Sequence, residues 1–141
     1  MNAAARTSAS ERETTAIGRE LGATLSPGAV VLLTGPLGAG KTAFVRGVAE
    51  GLGCDPSEVS SPTFAIMQEY RGRVLLRHVD LYRLAPAEVD DLGLDEFGEG
   101  AVMAVEWPDR WTAPPDDVIE VAIERVDDTS RRITIRPYST R

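Results

Sequence analysis

Gly35-Pro36-Leu37-Gly38-Ala39-Gly40-Lys41-Thr42 spaces three glycines ahead of a closing Lys-Thr pair. Immediately upstream, Ala29-Val30-Val31-Leu32-Leu33-Thr34 is an unbroken aliphatic and β-branched run bounded by Gly28 and Gly35, the pattern of a strand buried on both faces. Downstream, Ala43 to Leu52 reads as a helix closed by Gly53. A strand, a glycine-rich turn and a helix in that order give the segment the setting of a phosphate-binding P-loop. The chemistry asks for these residue types: glycines let successive backbone N–H groups wrap phosphate oxygens, and the helix presents its positive end to them. Such a match arises by chance in roughly one per cent or fewer of chains of this length. The expected cradle is Leu37, Gly38, Ala39, Gly40, Lys41, Thr42 and Ala43. Lys41 should reach the β and γ phosphates, and the Thr42 hydroxyl should bind Mg2+.

The rest of the chain fits one folding unit around this loop. With 141 residues and 43% hydrophobic composition, a single core can form without staples. Residues 1–9 are small and polar and read as a mobile tail, 10–137 as the P-loop domain, and 138–141 as a C-terminal tail. Ser10 followed by Glu13 has the spacing of a capping box, and Ala16, Ile17, Leu21 and Leu25 continue at helical intervals until Ser26-Pro27-Gly28. Thr63 to Tyr70 and Arg73 to Val79 predict two strands turning at Arg71-Gly72, which adds an antiparallel element. Arg71, Arg73 and Arg77 read as solvated strand positions. Ala85 to Leu94 predicts a helix with an acidic surface around Glu88, Asp90, Asp91, Asp95 and Glu96. Val118 to Glu124 and Arg132 to Arg136 predict a terminal hairpin that extends the sheet edge and carries no chemistry. The expected fold is α/β: a single-domain P-loop NTPase with a mostly parallel central sheet, antiparallel additions and helices on both faces.

A P-loop enzyme needs a carboxylate at the end of a buried strand to hold Mg2+ or its water. Val74-Leu75-Leu76-Arg77-His78-Val79-Asp80 and Ala101-Val102-Met103-Ala104-Val105-Glu106 are apolar runs that each terminate in one. Asp80 and Glu106 are therefore the candidate acids, against the simpler reading that each solubilises a strand end. Thr63, in Ser60-Ser61-Pro62-Thr63-Phe64, has two readings, a turn residue or a hydroxyl that senses the γ-phosphate. Trp107 also has two, a packed core aromatic or a ring stacked on the nucleotide base.

Composition narrows the partners. One cysteine, Cys54, and one histidine, His78, cannot build a Cys/His zinc site, so a metal would need oxygen ligands. A net charge of −7 opposes an independent nucleic-acid surface, so contact with nucleic acid is expected through a partner. No apolar run is long enough to span a bilayer, and Met1 to Ser10 lacks the apolar middle of a secretory signal, so a cytoplasmic protein without membrane contact is expected.

Taken together, Gly-x-Leu-Gly-Ala-Gly-Lys-Thr at 35–42, Ser-Pro-Thr-Phe at 61–64, His-x-Asp-Leu-Tyr-Arg at 78–83 and Val-Glu-Trp-Pro at 105–108 resemble the TsaE family, also called YjeE. The resemblance runs from about Glu11 to Arg136. It implies a small ATPase that works with TsaB and TsaD in forming N6-threonylcarbamoyladenosine beside the anticodon of tRNAs reading codons that begin with A. It also implies that ATP hydrolysis resets that complex, that tRNA is met through it, and that the chain does not touch the transferred group. By position, Lys41 and Thr42 become phosphate and Mg2+ ligands, Thr63 part of a switch-like loop, Asp80 and Glu106 the essential acids, and Trp107 a neighbour of the nucleotide. The chain departs from many members at Pro36, where they carry Asp, and at Ala43, where they carry a second Thr.

Other functions compete with this one. Guanine reading by an Asn-Lys-x-Asp motif is excluded because the sole asparagine is Asn2, which favours ATP. A small-molecule kinase shares the P-loop and acids but needs an arginine-bearing lid and an acceptor pocket, for which only Arg83 and Arg110 are at hand; no small-molecule acceptor is expected. A third possibility is a nucleotide-gated assembly factor in which turnover is incidental.

Overall fold

The computed structural model describes residues 4–36, 38–59 and 66–136; Leu37, Thr63 and the segment 138–141 lie outside them. The chain forms β1 (Ala4–Ser8), α1 (Glu11–Gly22), β2 (Val30–Thr34), α2 (Lys41–Gly51), β3 (Met67–Tyr70), β4 (Leu75–Asp80), α3 (Pro86–Leu92), α4 (Leu94–Phe97), β5 (Ala101–Glu106), β6 (Ile119–Arg125) and β7 (Arg131–Arg136). The strands make one sheet in the order β1-β7-β6-β2-β5-β4-β3. Its centre, β6-β2-β5-β4, is parallel, and β7, β1 and β3 join antiparallel at the flanks.

Burial on both faces explains the apolar runs. Along β2, Val31 and Leu33 enter the core beneath α1 and α2, whereas Val30 and Leu32 pack on the other face with Val89, Leu94 and Trp111. β5 alternates in the same way, with Val102 and Ala104 on the first face and Met103 and Val105 on the second. Because side chains alternate along a strand, the residue two places beyond Ala104, Glu106, returns to the α2 face. The sequence therefore aims Glu106 at the P-loop helix by periodicity alone.

Several expectations are corrected. Residues 4–8 are not a tail: they pair with β7 through the register Ala4↔Ile135 to Ser8↔Arg131. Strand addition at a free sheet edge is a main-chain interaction, so small polar residues suffice. Two side-chain contacts reinforce it, Arg6 with Glu20 at 2.7 Å and the buried Ser8 hydroxyl with Thr14 at 2.8 Å. The terminal hairpin accordingly is not the edge, since β6 pairs with β2 and β1 lies outside β7. The helix expected over Ala85 to Leu94 is broken at Gly93, which takes a left-handed conformation (φ 66°) and divides α3 from α4. Nor is Arg73 merely solvated, because its guanidinium donates to the carbonyls of Gly22 and Ala23 near the α1 C-terminus at 3.2 and 3.3 Å.

The crossing of α1 and α2 is set by glycine. Gly18 and Gly22 on α1 and Gly47 and Gly51 on α2 each lie four residues apart, hence on one helix face. A methyl group on any of the four would strike a carbonyl oxygen of the opposite helix: Phe44 and Val48 for the first pair, Thr15 and Arg19 for the second. The helices thus meet backbone to backbone, and α2 is pinned in position above the sheet.

Gly47→Ala tests this seam. Alanine would raise helix propensity by about 1 kcal/mol, but the atoms it meets are main chain and cannot rotate away. The clash should dominate, lowering the unfolding free energy by about 1–3 kcal/mol. Urea denaturation followed by circular dichroism would show this as a lower midpoint with the same slope; an unshifted midpoint would mean that the helices reseat without loss.

Candidate functional site

The loop after β2 bends where only glycine is comfortable. Gly38 (φ 78°) and Gly40 (φ 107°) both occupy left-handed regions, and the second directly precedes α2. Gly40, the residue before the first turn of α2, supplies no side-chain cap, and the N–H groups of that turn point toward the loop. Pro36 leaves the turn intact, since its carbonyl accepts the Ala39 N–H at 3.1 Å. Ala43 is buried against α1, where its carbonyl accepts from the Thr15 hydroxyl at 3.2 Å. The four described cradle residues beside Lys41 and Thr42, namely Gly38, Ala39, Gly40 and Ala43, all line one connected depression.

That depression opens over the C-terminal ends of β2, β4 and β5. A cavity of about 310 Å³ is bounded by Lys41, Thr42, Asp80, Glu106, Trp107 and Tyr82 among others. A second recess of about 350 Å³ shares Gly38, Gly40 and Ala43 with it and is walled by Ser10, Thr14, Thr129 and Arg131. The outer ends of the parallel strands are where open α/β sheets bind ligands. A wider recess of about 610 Å³ lies elsewhere, lined by Asp95, Glu99 and Asp116 with no basic residue. Its charge repels an anionic ligand, so volume does not decide the site.

The structure brings together Lys41, Thr42, Asp80, Glu106 and Trp107. Asp80 and Glu106 are register partners across β4 and β5, and Leu33 faces Glu106 from β2. The buried Lys41 ammonium donates to the Gly35 carbonyl at 2.6 Å and lies 3.9 Å above the centre of the Trp107 ring. Trp107 is the one described non-glycine residue with positive φ, at 59°. This turn at the end of β5 stores local strain and lays the ring against Lys41 and against Tyr82, whose ring centre is 4.8 Å away. Trp107 therefore lies on the Lys41 side of the depression as a platform for that ammonium and is partly packed on the second core face.

Burial is also the leading influence on the charges. It pushes the Lys41 ammonium below the usual lysine range, opposed by the nearby carboxylates of Glu106, Asp80 and Asp109. It pushes the Asp80 carboxyl up, outweighing the Tyr82 N–H that donates to Oδ1 at 2.9 Å; the Glu106 charge adds to the rise. A buried lysine and two crowded acids are poorly solvated alone, and a polyanion carrying its own cation would complement both.

Two residues escaped sequence reasoning. His78 is fully buried, with Nε2 2.6 Å from Oε2 of Glu106. Its place two residues before Asp80 was the available signal, since alternation puts both on the α2 face. Arg131 reaches from β7 to the P-loop, its Nε donating to the Ala39 carbonyl at 2.8 Å and one terminal nitrogen to the Ser130 carbonyl at 3.0 Å. The terminal hairpin, expected to carry no chemistry, thus braces the loop after β2. Nothing in the local sequence marks a contact between residues so far apart.

The donor set suits a hard cation only in part. Among the described residues no group of three His, Cys, Asp or Glu side chains could hold a metal alone. Thr42, Asp80 and Glu106 offer oxygen at the cavity, which fits Mg2+ bound mainly through waters and substrate phosphates.

A glycine-shaped anion cradle at a strand-to-helix turn, with acids on the neighbouring strand ends, places the protein in the P-loop nucleotide-binding class. More particularly, the chain belongs to the TsaE family: the profile described as "threonylcarbamoyl adenosine biosynthesis protein TsaE" matches residues 8–133. A Nostoc protein described as "tRNA threonylcarbamoyladenosine biosynthesis protein TsaE" is 41% identical, over 93% of this chain and 84% of its own. A Bacillus subtilis protein of the same description is 44% identical, over 92% and 82% respectively. The crystal structure of Bacillus subtilis YdiB superposes with a TM-score of 0.75 at 35% identity, covering 95% of this chain and 84% of that one.

Asp80→Asn should separate site from scaffold. A carboxyl with a raised folded-state pKa binds its proton more tightly in the folded than in the unfolded chain, so its contribution to stability falls as pH rises from the unfolded value through the folded one. The amide keeps an acceptor for the Tyr82 N–H and removes that loss. The nucleotide-free variant should therefore melt higher than the parent at pH 7, with the difference vanishing toward pH 3, as read by differential scanning fluorimetry. An equal or lower melting temperature at pH 7 would contradict the burial argument.

Proposed function

We propose that this chain binds ATP with Mg2+ and hydrolyses it, and that it does so with TsaB and TsaD in forming N6-threonylcarbamoyladenosine on tRNA. One observation carries the nucleotide reading: Lys41 and Thr42, Asp80, and Glu106, from three separate stretches of the chain, line a single cavity at the N-terminal mouth of α2. The α2 N-terminus and Lys41 bind and orient the phosphates, and Arg131 holds the turn that presents them. Mg2+, when bound, supplies neutralisation of charge on the β and γ phosphates, with Thr42, Asp80 and Glu106 as its direct or water-mediated ligands. Glu106 orients the attacking water, and burial of the pocket strengthens each of these interactions.

The recess beside Ser10, Thr14 and Thr129 is the place for base and ribose, since it continues from the cradle away from Asp80 and Glu106. Lys41 already occupies the face of Trp107, which favours a platform role over base stacking for that ring. Absence of an Asn-Lys-x-Asp motif supports ATP over GTP. The tRNA role rests on the descriptions of the relatives, and the acidic charge of −7 supports contact with tRNA through the partner complex. Among the described residues no helix is long and apolar enough to cross a membrane, and a cytoplasmic location is proposed on that footing.

Phosphate release with and without TsaB and TsaD tests the whole reading. Turnover should be slow alone and rise with the partners; no rise would sink the proposed partnership, and phosphate on a small acceptor would establish a kinase. Lys41→Ala should weaken ATP binding by about 10- to 100-fold, the worth of a hydrogen bond to a charged group. Glu106→Gln should retain binding but lose turnover by on the order of 100-fold. Parent-like hydrolysis in Glu106→Gln would remove that residue from the mechanism.

A further inference from the structure

Lys41 and Glu106 face the same cavity and attract each other. Were they to close into an ion pair, the lysine would leave the phosphates and the carboxylate would leave the metal and water. Lys41 is held away by the Gly35 carbonyl and the Trp107 ring. On the carboxylate's side, the restraint comes from below, on the sheet.

His78 and Asp80 project from β4 to the face that carries α2, and the register pairs His78 with Ala104 and Asp80 with Glu106. His78 therefore lies diagonal to Glu106, one step deeper in the core. Its ring is fully buried, and its Nε2 meets Oε2 of Glu106 at 2.6 Å. Nδ1 has no hydrogen-bond partner among the described residues. That orphan atom distinguishes the two tautomers of the ring. The one with its proton on Nδ1 would leave a buried N–H donor unpaired. With the proton on Nε2, the N–H donates to a carboxylate and only a lone pair is left unmatched, the least costly of the arrangements.

We propose that His78 is a positioning residue for Glu106: its Nε2–H anchors Oε2, fixes the carboxylate plane away from Lys41, and leaves Oε1 to act in the cavity. This arrangement parallels the outer partners that orient metal-binding groups, whose loss typically costs 10- to 100-fold in metal affinity or activity. The inference rests on the hydrolytic role proposed above for Glu106.

Because His78 is the only histidine in the chain, its imidazole can be observed without assignment. In nitrogen-15 NMR of the nucleotide-free parent at pH 7.5, the ring should show the Nε2–H tautomer with a slowly exchanging proton. An Nδ1–H tautomer, or rapid exchange, would overturn the proposal, and this measurement needs neither turnover nor a stable variant. His78→Leu should raise the Mg2+ concentration for half-maximal hydrolysis and lower kcat, each by roughly 10-fold or more, with little change in KM for ATP. His78→Gln, which can place an N–H near the Nε2 position, should recover most of both. Equal behaviour of the two variants, or parent-like behaviour of His78→Leu, would refute positioning. Should the parent hydrolyse no ATP under any condition, the proposed function fails, while the tautomer still decides whether His78 holds Glu106.

Discussion

Leu33 and Glu106 stand side by side across the β2–β5 pair, and that parallel register is the constraint on which the site depends. Because it is parallel, both strands end at the same side of the sheet. The turn leaving β2 and the carboxylate ending β5 therefore meet without any special contact between them. β4 extends the arrangement by one strand and delivers Asp80 beside Glu106. Two apolar faces fix the register, since a slip of one residue in β2 would exchange Val31 and Leu33 for Val30 and Leu32, and one in β5 would turn Glu106 away from α2. Hydrophobic burial thus determines where the charged groups stand.

Those groups carry a thermodynamic cost that the core offsets. Lys41 is desolvated, Asp80 and Glu106 crowd each other, and Trp107 adopts a backbone conformation that few side chains take. Such features concentrate where proteins act, because a site prepared for a charged ligand is incompletely satisfied without it. The surrounding structure holds the arrangement through contacts that are individually ordinary: the Gly35 carbonyl, the Tyr82 ring, the Arg131 brace and the buried imidazole.

The fold was legible wherever one local rule governed a segment. Continuous apolar runs marked β2 and β5, the Ser10 and Glu13 spacing marked the start of α1, and glycines marked the P-loop. Asp80 and Glu106 stood out as the carboxylates that end two apolar runs, and the structure places both at the cavity. β1 was not legible, since edge pairing uses backbone groups that every sequence has. Arg131 was hidden by chain separation, and Arg73 by its assignment to a solvated strand when it in fact caps helix carbonyls. Trp107 needed three dimensions, because only its left-handed backbone shows which way the ring turns. Leu37 and Thr63 lie outside the described residues and stand as expectations.

The glycine seam between α1 and α2 bears on how the site moves. Where side chains interdigitate, helices can slide by changing rotamers; where main chains touch, there is nothing flexible between them to yield. α1 and α2 consequently behave as one plate. Ser8 and Arg6 fasten β1 to that plate through Thr14 and Glu20, and Thr14 stands beside Gly40, where Lys41 and Thr42 open α2. The phosphate turn is in this sense anchored to the outermost strand of the sheet, and a force applied at that edge reaches the nucleotide site without passing through a hinge.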